Sequence, residues 1–183
     1  MGTALRGPAL RRGDCIGIAA PATHDEGQDI SAAVARLERA GYRVKMMPTV
    51  TGNYGFFSGT DAERARDINA LFHDDDVKAI ICLNGGYGSA RILDKLDYEY
   101  IASHPKLVVG FSDVTALQTA LWEKCRLVTA NGPLMVTLGG SDAYTAGQFF
   151  QGLTTEAWRG PLALRAGRKL TTGVPGQADG PLV

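Results

Sequence analysis

The sequence predicts an α/β fold, a largely parallel sheet with helices on both faces. From Asp14 onward, short apolar runs alternate with longer segments whose apolar residues recur at helical spacing. Two of those runs, Val77 to Leu83 and Leu107 to Phe111, are apolar almost throughout, as strands covered on both faces are. Alternating units of this kind pack as layers joined by right-handed crossovers.

The first strand is expected over Cys15 to Ala20, ending at Pro21. Ile30, Ala33, Val34, Leu37 and Ala40 then mark a helix, which Gly41 stops. Tyr42 to Met47 reads as a second strand, and Asp61 to Phe72 as a helix burying Ile68, Leu71 and Phe72. Thr60 or Asp61 would cap it, with Glu63 and Arg64 in its first turn. Val77 to Leu83 is the third strand, and a helix is expected from Ala90. Leu107 to Phe111 is the fourth, Val114 to Lys124 the helix after it, and Leu127 to Ala130 the fifth strand. Beyond Gly160 the composition shifts. Glycines and prolines punctuate a tail with one apolar run, Pro161 to Ala166. Residues 1–160 are therefore read as the α/β domain, and 161–183 as a linker with the start of a further domain.

A chain of 183 residues, 45% hydrophobic, can build one core and bury roughly two-thirds of its unfolded surface. Nineteen basic side chains balance nineteen acidic ones, so no basic field exists to recruit nucleic acid. The apolar stretches fall far short of the ~20 residues that span a bilayer, so no membrane partner is expected. Arg6, Arg11 and Arg12 precede the apolar run Cys15 to Ala22, but that run is short and Asp14 abuts it. A core strand explains it better than a secretory signal, which makes the cytoplasm the expected location. Cys15, Cys82 and Cys125 are odd in number and set in apolar segments, as core thiols are. His24, His73 and His104 make no close pairing with them, so neither a metal site nor a cofactor is expected.

Ligands in parallel α/β sheets bind beyond the carboxyl ends of the strands, and two loops there carry chemistry. Asn84-Gly85-Gly86-Tyr87-Gly88-Ser89 follows the third strand, and its glycines would let backbone N–H groups approach an anion closely. Gly110-Phe111-Ser112-Asp113-Val114-Thr115 lies between the fourth strand and its helix, in the strand, Gly-x-Ser, helix order of a nucleophile elbow. The second glycine of that pattern is replaced by Val114. Spacing alone favours Ser112 and Asp113 as helix caps over a nucleophile elbow, and the glycine loop could equally be a phosphate site or a plain turn. A phosphate site would need a cation, and only Arg91 is near in sequence.

Several ordered blocks together resemble the LD-carboxypeptidase family, peptidase family S66, which includes muramoyltetrapeptide carboxypeptidases and microcin-immunity serine peptidases. They are Gly13-Asp14 leading into a strand that ends Ala-Pro, Phe57-Ser58-Gly59-Thr60-Asp61 with Arg64 and Asp67-Ile68-Asn69, Gly85-Gly86-Tyr87-Gly88, and Gly110 through Leu117. The likeness runs from Asp14 to Val183. It implies a flavodoxin-like or class I glutamine amidotransferase-like layered domain, and a serine carboxypeptidase with Ser112 as nucleophile and an oxyanion hole of backbone N–H groups on Asp113, Gly85 and Gly86. Tyr87 and Asn84 would meet substrate. The implied substrate is a small peptide with an L-to-D junction, such as the murein tetrapeptide that loses its terminal D-Ala in peptidoglycan recycling in the cytoplasm; a homodimer is left open. Asn84 stands where the family often has Arg, and Asn131 where it usually has His. The family's base is a histidine oriented by a glutamate, both in a carboxy-terminal domain, so this chain is expected to be inactive alone. Among its own histidines, His24 is the nearest alternative base. Cys125 closes a helix and is no nucleophile. Two further readings stay open: a nucleotide-binding domain using Gly85 to Gly88, and an interaction domain without chemistry.

Overall fold

The computed structural model describes residues 3–24, 27 and 29–154. Five strands form one parallel sheet in the order β2-β1-β3-β4-β5. They are β1 (Cys15–Ala19), β2 (Arg43–Met46), β3 (Val77–Cys82), β4 (Leu107–Gly110) and β5 (Ala130–Asn131). The helices are α1 (Ser31–Arg39), α2 (Asp61–His73), α3 (Tyr98–Ser103), α4 (Val114–Cys125), α5 (Met135–Leu138) and α6 (Ala143–Thr154).

The pleat of each strand sends alternate side chains to opposite faces, and both faces are apolar. Ile16, Ile18, Ala79, Ile81 and Val109 pack with Ala33 and Leu37 of α1, Met135 and Leu138 of α5, and Phe149 and Leu153 of α6. Cys15, Ala19, Val77, Ile80, Cys82 and Val108 pack with Ile68, Leu71 and Phe72 of α2, Ile101 of α3, and Leu117 and Leu121 of α4. The expected α/β class with helices on both faces is the observed one. The three cysteines are buried and free, and burial pushes the Cys82 thiol up to about 12.

Local chemistry explains the element ends. Gly41 stops α1 at φ +96°, a conformation that costs a residue with a side chain 1–2 kcal/mol or so. Of the two candidate caps for α2, Thr60 is the cap: its hydroxyl accepts from the Glu63 N–H at 3.2 Å, and Glu63 Oε2 accepts from the Thr60 N–H at 2.8 Å.

Two expected elements are corrected. The helix expected from Ala90 is a tighter 3-10 segment, Ser89–Lys95, because the Ser89 N–H is taken by the Asp113 carboxylate and the Arg91 N–H by the Gly88 carbonyl. The fifth strand lies at Ala130–Asn131 rather than Leu127 to Ala130. Arg126 ends α4 in the left-handed conformation, φ +57°, and the chain from Leu127 pairs first with Leu5. The boundary at residue 160, the Pro161 to Ala166 run and the start of a further domain all lie outside the described residues. Among the described residues, no helix is long and apolar enough to cross a membrane.

Candidate functional site

β3 and β4 are parallel neighbours, so the loops leaving Cys82 and Gly110 emerge side by side at one edge of the sheet. Gly110 lets α4 fold back at once, since a β-carbon there would lie 2.6 Å from Val114 Cγ1. Two residues on, Ser112 is exposed and held at φ +62°. Only Arg126 shares a positive φ among the described residues with a side chain. Such a conformation costs about 1–2 kcal/mol and persists where the surroundings impose it. Strand, sharp turn and helix follow one another here as they do in a nucleophile elbow.

The helix-cap alternative does not hold. Asp113 occupies the cap position of α4 but makes no side-chain cap bond. Its Oδ2 instead accepts from the Ser89 N–H at 2.8 Å, tying the elbow to the far end of the glycine loop. The near end meets the serine directly: a β-carbon on Gly85 would stand 3.2 Å from Ser112 Cβ and 3.3 Å from its Oγ. Among the described residues, no hydrogen bond takes up the N–H groups of Gly85, Gly86 or Asp113. Gly85 and Asp113 lie beside the exposed Ser112 at the start of α4, with Gly86 next in the loop, and free N–H groups in such a setting can favour a developing negative charge.

The glycine loop is braced by residues distant in the sequence. Gly86 has φ +94° and Gly88 φ +132°. Thr23 Oγ1 donates to the Gly85 carbonyl at 2.8 Å, and Asn84 Nδ2 lies 3.3 Å from both Thr23 Oγ1 and the His24 carbonyl. Arg64 is fully buried and donates to the carbonyls of Pro21, Gly88 and Gly59, while its other nitrogen pairs with Asp61. Desolvation pulls its pKa below the usual arginine range. The Arg64 and Arg91 guanidinium groups also lie over the Phe57 ring, at 4.8 and 5.2 Å from its centre. Beneath the elbow, Gln118 Nε2 donates to the carbonyls of Gly110 (3.1 Å) and Ala130 (2.8 Å), joining the ends of β4 and β5.

Ser112, Asp113, Gly85 and Gly86 are thus brought together. Tyr87 is exposed on the same loop, near Phe57, while Asn84 turns its amide inward. The bracing residues Thr23, Arg64 and Gln118 escaped prediction as site elements. Arg64 stood out as a first-turn residue, but nothing local in the sequence signals that it is buried. The only cation near the glycine loop in sequence, Arg91, is held bidentately by Asp61 at 2.9 and 3.0 Å, which speaks against a phosphate site.

The histidines face other partners. His24 Nδ1 lies 3.4 Å from the Phe56 carbonyl. His73 pairs with Asp97 at 3.3 Å and stacks on Tyr100, and His104 stacks on the other side of that ring. The Cys125 thiol is buried and directed at the Tyr98 carbonyl. Among the described residues, no group of histidine, cysteine and carboxylate side chains could hold a metal ion.

Comparison with known proteins gives this arrangement a context. Residues 16–132 match the model of the LD-carboxypeptidase N-terminal domain. Over 181 residues the chain is 36% identical to the "Probable murein peptide carboxypeptidase" of Bacillus subtilis, covering 96% of this chain and 55% of that protein. It is 30% identical over 125 residues to the murein tetrapeptide carboxypeptidase of Pseudomonas aeruginosa, covering 68% and 40%. The crystal structure of an MccF-like protein from Bacillus anthracis superposes with a TM-score of 0.79 at 34% identity, covering 83% of this chain and 48% of that one. The chain thus spans about half, or less, of the length of these relatives.

Proposed function

The chain belongs to the LD-carboxypeptidase family, and from that premise we propose that it supplies the serine nucleophile and the oxyanion hole of a peptidase that removes D-Ala from a murein tetrapeptide. The observation that carries this reading is the exposed Ser112, held at φ +62° against Gly85, with the N–H groups of Gly85, Gly86 and Asp113 unclaimed around it among the described residues. The kinship to carboxypeptidases named for murein peptides supports the substrate class.

In the proposed reaction, Ser112 Oγ attacks the carbonyl carbon of the L-to-D amide as a base takes its proton. The carbonyl π electrons move onto oxygen, and the unclaimed N–H groups stabilise that oxyanion. Collapse breaks the C–N bond, the leaving D-Ala nitrogen takes the proton, and water later releases the acyl group from Ser112. In this reading the base is a histidine oriented by a glutamate, as the family resemblance implies; among the described residues, one ring nitrogen each of His24, His73 and His104 faces Phe56, Asp97 and the Ser103–Tyr100 turn. Tyr87, exposed beside the elbow, meets the peptide, while Asn84 acts from beneath the loop. The setting is cytoplasmic peptidoglycan recycling.

Release of D-Ala from a murein tetrapeptide tests the assignment. The 183-residue chain alone should give no measurable turnover, because an unassisted serine hydroxyl is a weak nucleophile. Turnover by this chain that disappears in Ser112→Ala would contradict an external base and point first to His24.

A further inference from the structure

We propose that Thr23, braced by Asn84, is a positioning residue that sets the plane of the Gly85–Gly86 peptide and so aims the Gly86 N–H as an oxyanion donor. The inference rests on Ser112 being the nucleophile.

In a trans peptide the C=O and the following N–H point in opposite directions from one rigid plane, and the described chain contains no cis bond. Fixing the Gly85 carbonyl therefore fixes the direction of the Gly86 N–H. The fixing bond is Thr23 Oγ1 to the Gly85 oxygen, at 2.8 Å. Glycine loops otherwise turn easily about φ and ψ, and Gly86 already stands at φ +94°, so this peptide needs an external restraint.

Thr23 is itself held from two sides. A β-carbon on Gly86 would come within 2.4 Å of Thr23 Oγ1, so the hydroxyl sits directly against the loop. Asn84 Nδ2 lies 3.3 Å from the same oxygen, and also 3.3 Å from the His24 carbonyl. A hydroxyl that accepts from an amide has its hydrogen free to donate onward. The order Asn84 amide, Thr23 hydroxyl, Gly85 carbonyl thus runs in one direction and ends on the peptide whose other edge carries the Gly86 N–H. Asn84 also explains its own conformation here, with its amide nitrogen shared between two acceptors and its Oδ1 buried without a partner among the described residues. In this chain, Asn84 serves the loop from below.

The test compares Thr23→Val, which keeps the shape and removes the hydroxyl, with Thr23→Ser, which keeps the hydroxyl. Two readouts are taken on the 183-residue chain. The first is the amide resonance of Gly86 in an ¹H–¹⁵N spectrum. The second is the saturating rate of Ser112 phosphonylation by a fluorophosphonate, with imidazole added as base. Thr23→Val should shift the Gly86 resonance and slow phosphonylation at least about tenfold, a part of the ~10²–10³ lost when an oxyanion donor is removed outright. Probe affinity should hold, and Thr23→Ser should restore both readouts. If Thr23→Val does not fold, Asn84→Leu, which leaves the Thr23 hydroxyl but removes its brace, should move the same two readouts in the same direction. An unmoved Gly86 resonance and an unchanged rate in a folded variant would overturn the role of Thr23 and leave Ser112 standing. Failure of the unsubstituted chain to be phosphonylated at Ser112 would instead overturn the nucleophile assignment.

Discussion

Gly85 and Ser112 face each other so closely that a β-carbon on the glycine would sit 3.3 Å from the serine hydroxyl and 3.2 Å from its β-carbon. That spacing is tight without being impossible, and Gly85 does not have a positive φ. Gly85→Ala should therefore fold with a loss of about 1 kcal/mol or less, within the range of ordinary surface substitutions and small overpacking. The added methyl would occupy the approach to the hydroxyl, so phosphonylation of Ser112 should fall far more than thermal stability does. Parallel melting and labelling measurements check this. Equal losses in both would mean the glycine is needed only for folding.

The strain at Ser112 makes a second prediction. Its side chain makes no hydrogen bond among the described residues, so Ser112→Ala should stay within about 0.5 kcal/mol of the unsubstituted chain. Ser112→Gly relieves a left-handed conformation worth about 1–2 kcal/mol against an entropic cost of about 0.5–1 kcal/mol. It should be at least as stable as the parent, and more stable than the alanine variant. Urea denaturation of the three chains gives the order, and a glycine variant less stable than alanine would contradict the turn geometry.

The sheet and the elbow were legible in the sequence because each depends on local pattern. Val77 to Leu83 and Leu107 to Phe111 are apolar on both faces, and Gly110-Phe111-Ser112 stands between a strand and a helix. What could not be read depends on contacts distant in the chain. Leu127 pairs with Leu5 across the whole domain, which displaces the fifth strand. Asp113 looks like a helix cap until Ser89 is folded against it, and Arg64 looks like an exposed first-turn residue until Pro21 and Gly88 close over it. Ser112 was visible as a candidate. The residues that hold its donors in place were not, since hydrogen bonds from Thr23 to Gly85 span 62 positions.

Asp61 links the buried Arg64 to the exposed Arg91, and those bonds, with Arg91 first, hold its carboxyl below the usual range. A depressed folded pKa stabilises the native state above the ordinary value near 3.8 and withdraws that support as pH falls through the folded value. Asp61→Asn should cost about 2–4 kcal/mol at neutral pH, because Arg64 keeps its charge and its three carbonyls but loses its carboxylate. The variant should also lose part of the acid-limb dependence below pH 4 or so. Melting across pH 2.5 to 7, roughly, measures both.

Cys82 is wholly buried, and its thiol is pushed up to about 12 from 9.0 by desolvation. Because burial raises this pKa, the folded state keeps its full stability below pH 9 and loses at most roughly 4 kcal/mol as pH climbs from there through about 12. Iodoacetamide at pH 8 or so should leave Cys82 unmodified in the folded chain and alkylate it in urea. Rapid native alkylation would contradict its burial.

Whether Ser112 is the nucleophile beside preformed oxyanion donors is decided by locating a fluorophosphonate adduct by peptide mass spectrometry, with imidazole supplying the base. A single adduct is expected on the peptide carrying Ser112, formed faster than on any other serine and absent from Ser112→Ala. An adduct on another residue, or a Ser112 that reacts no faster than the exposed Ser31, would contradict it.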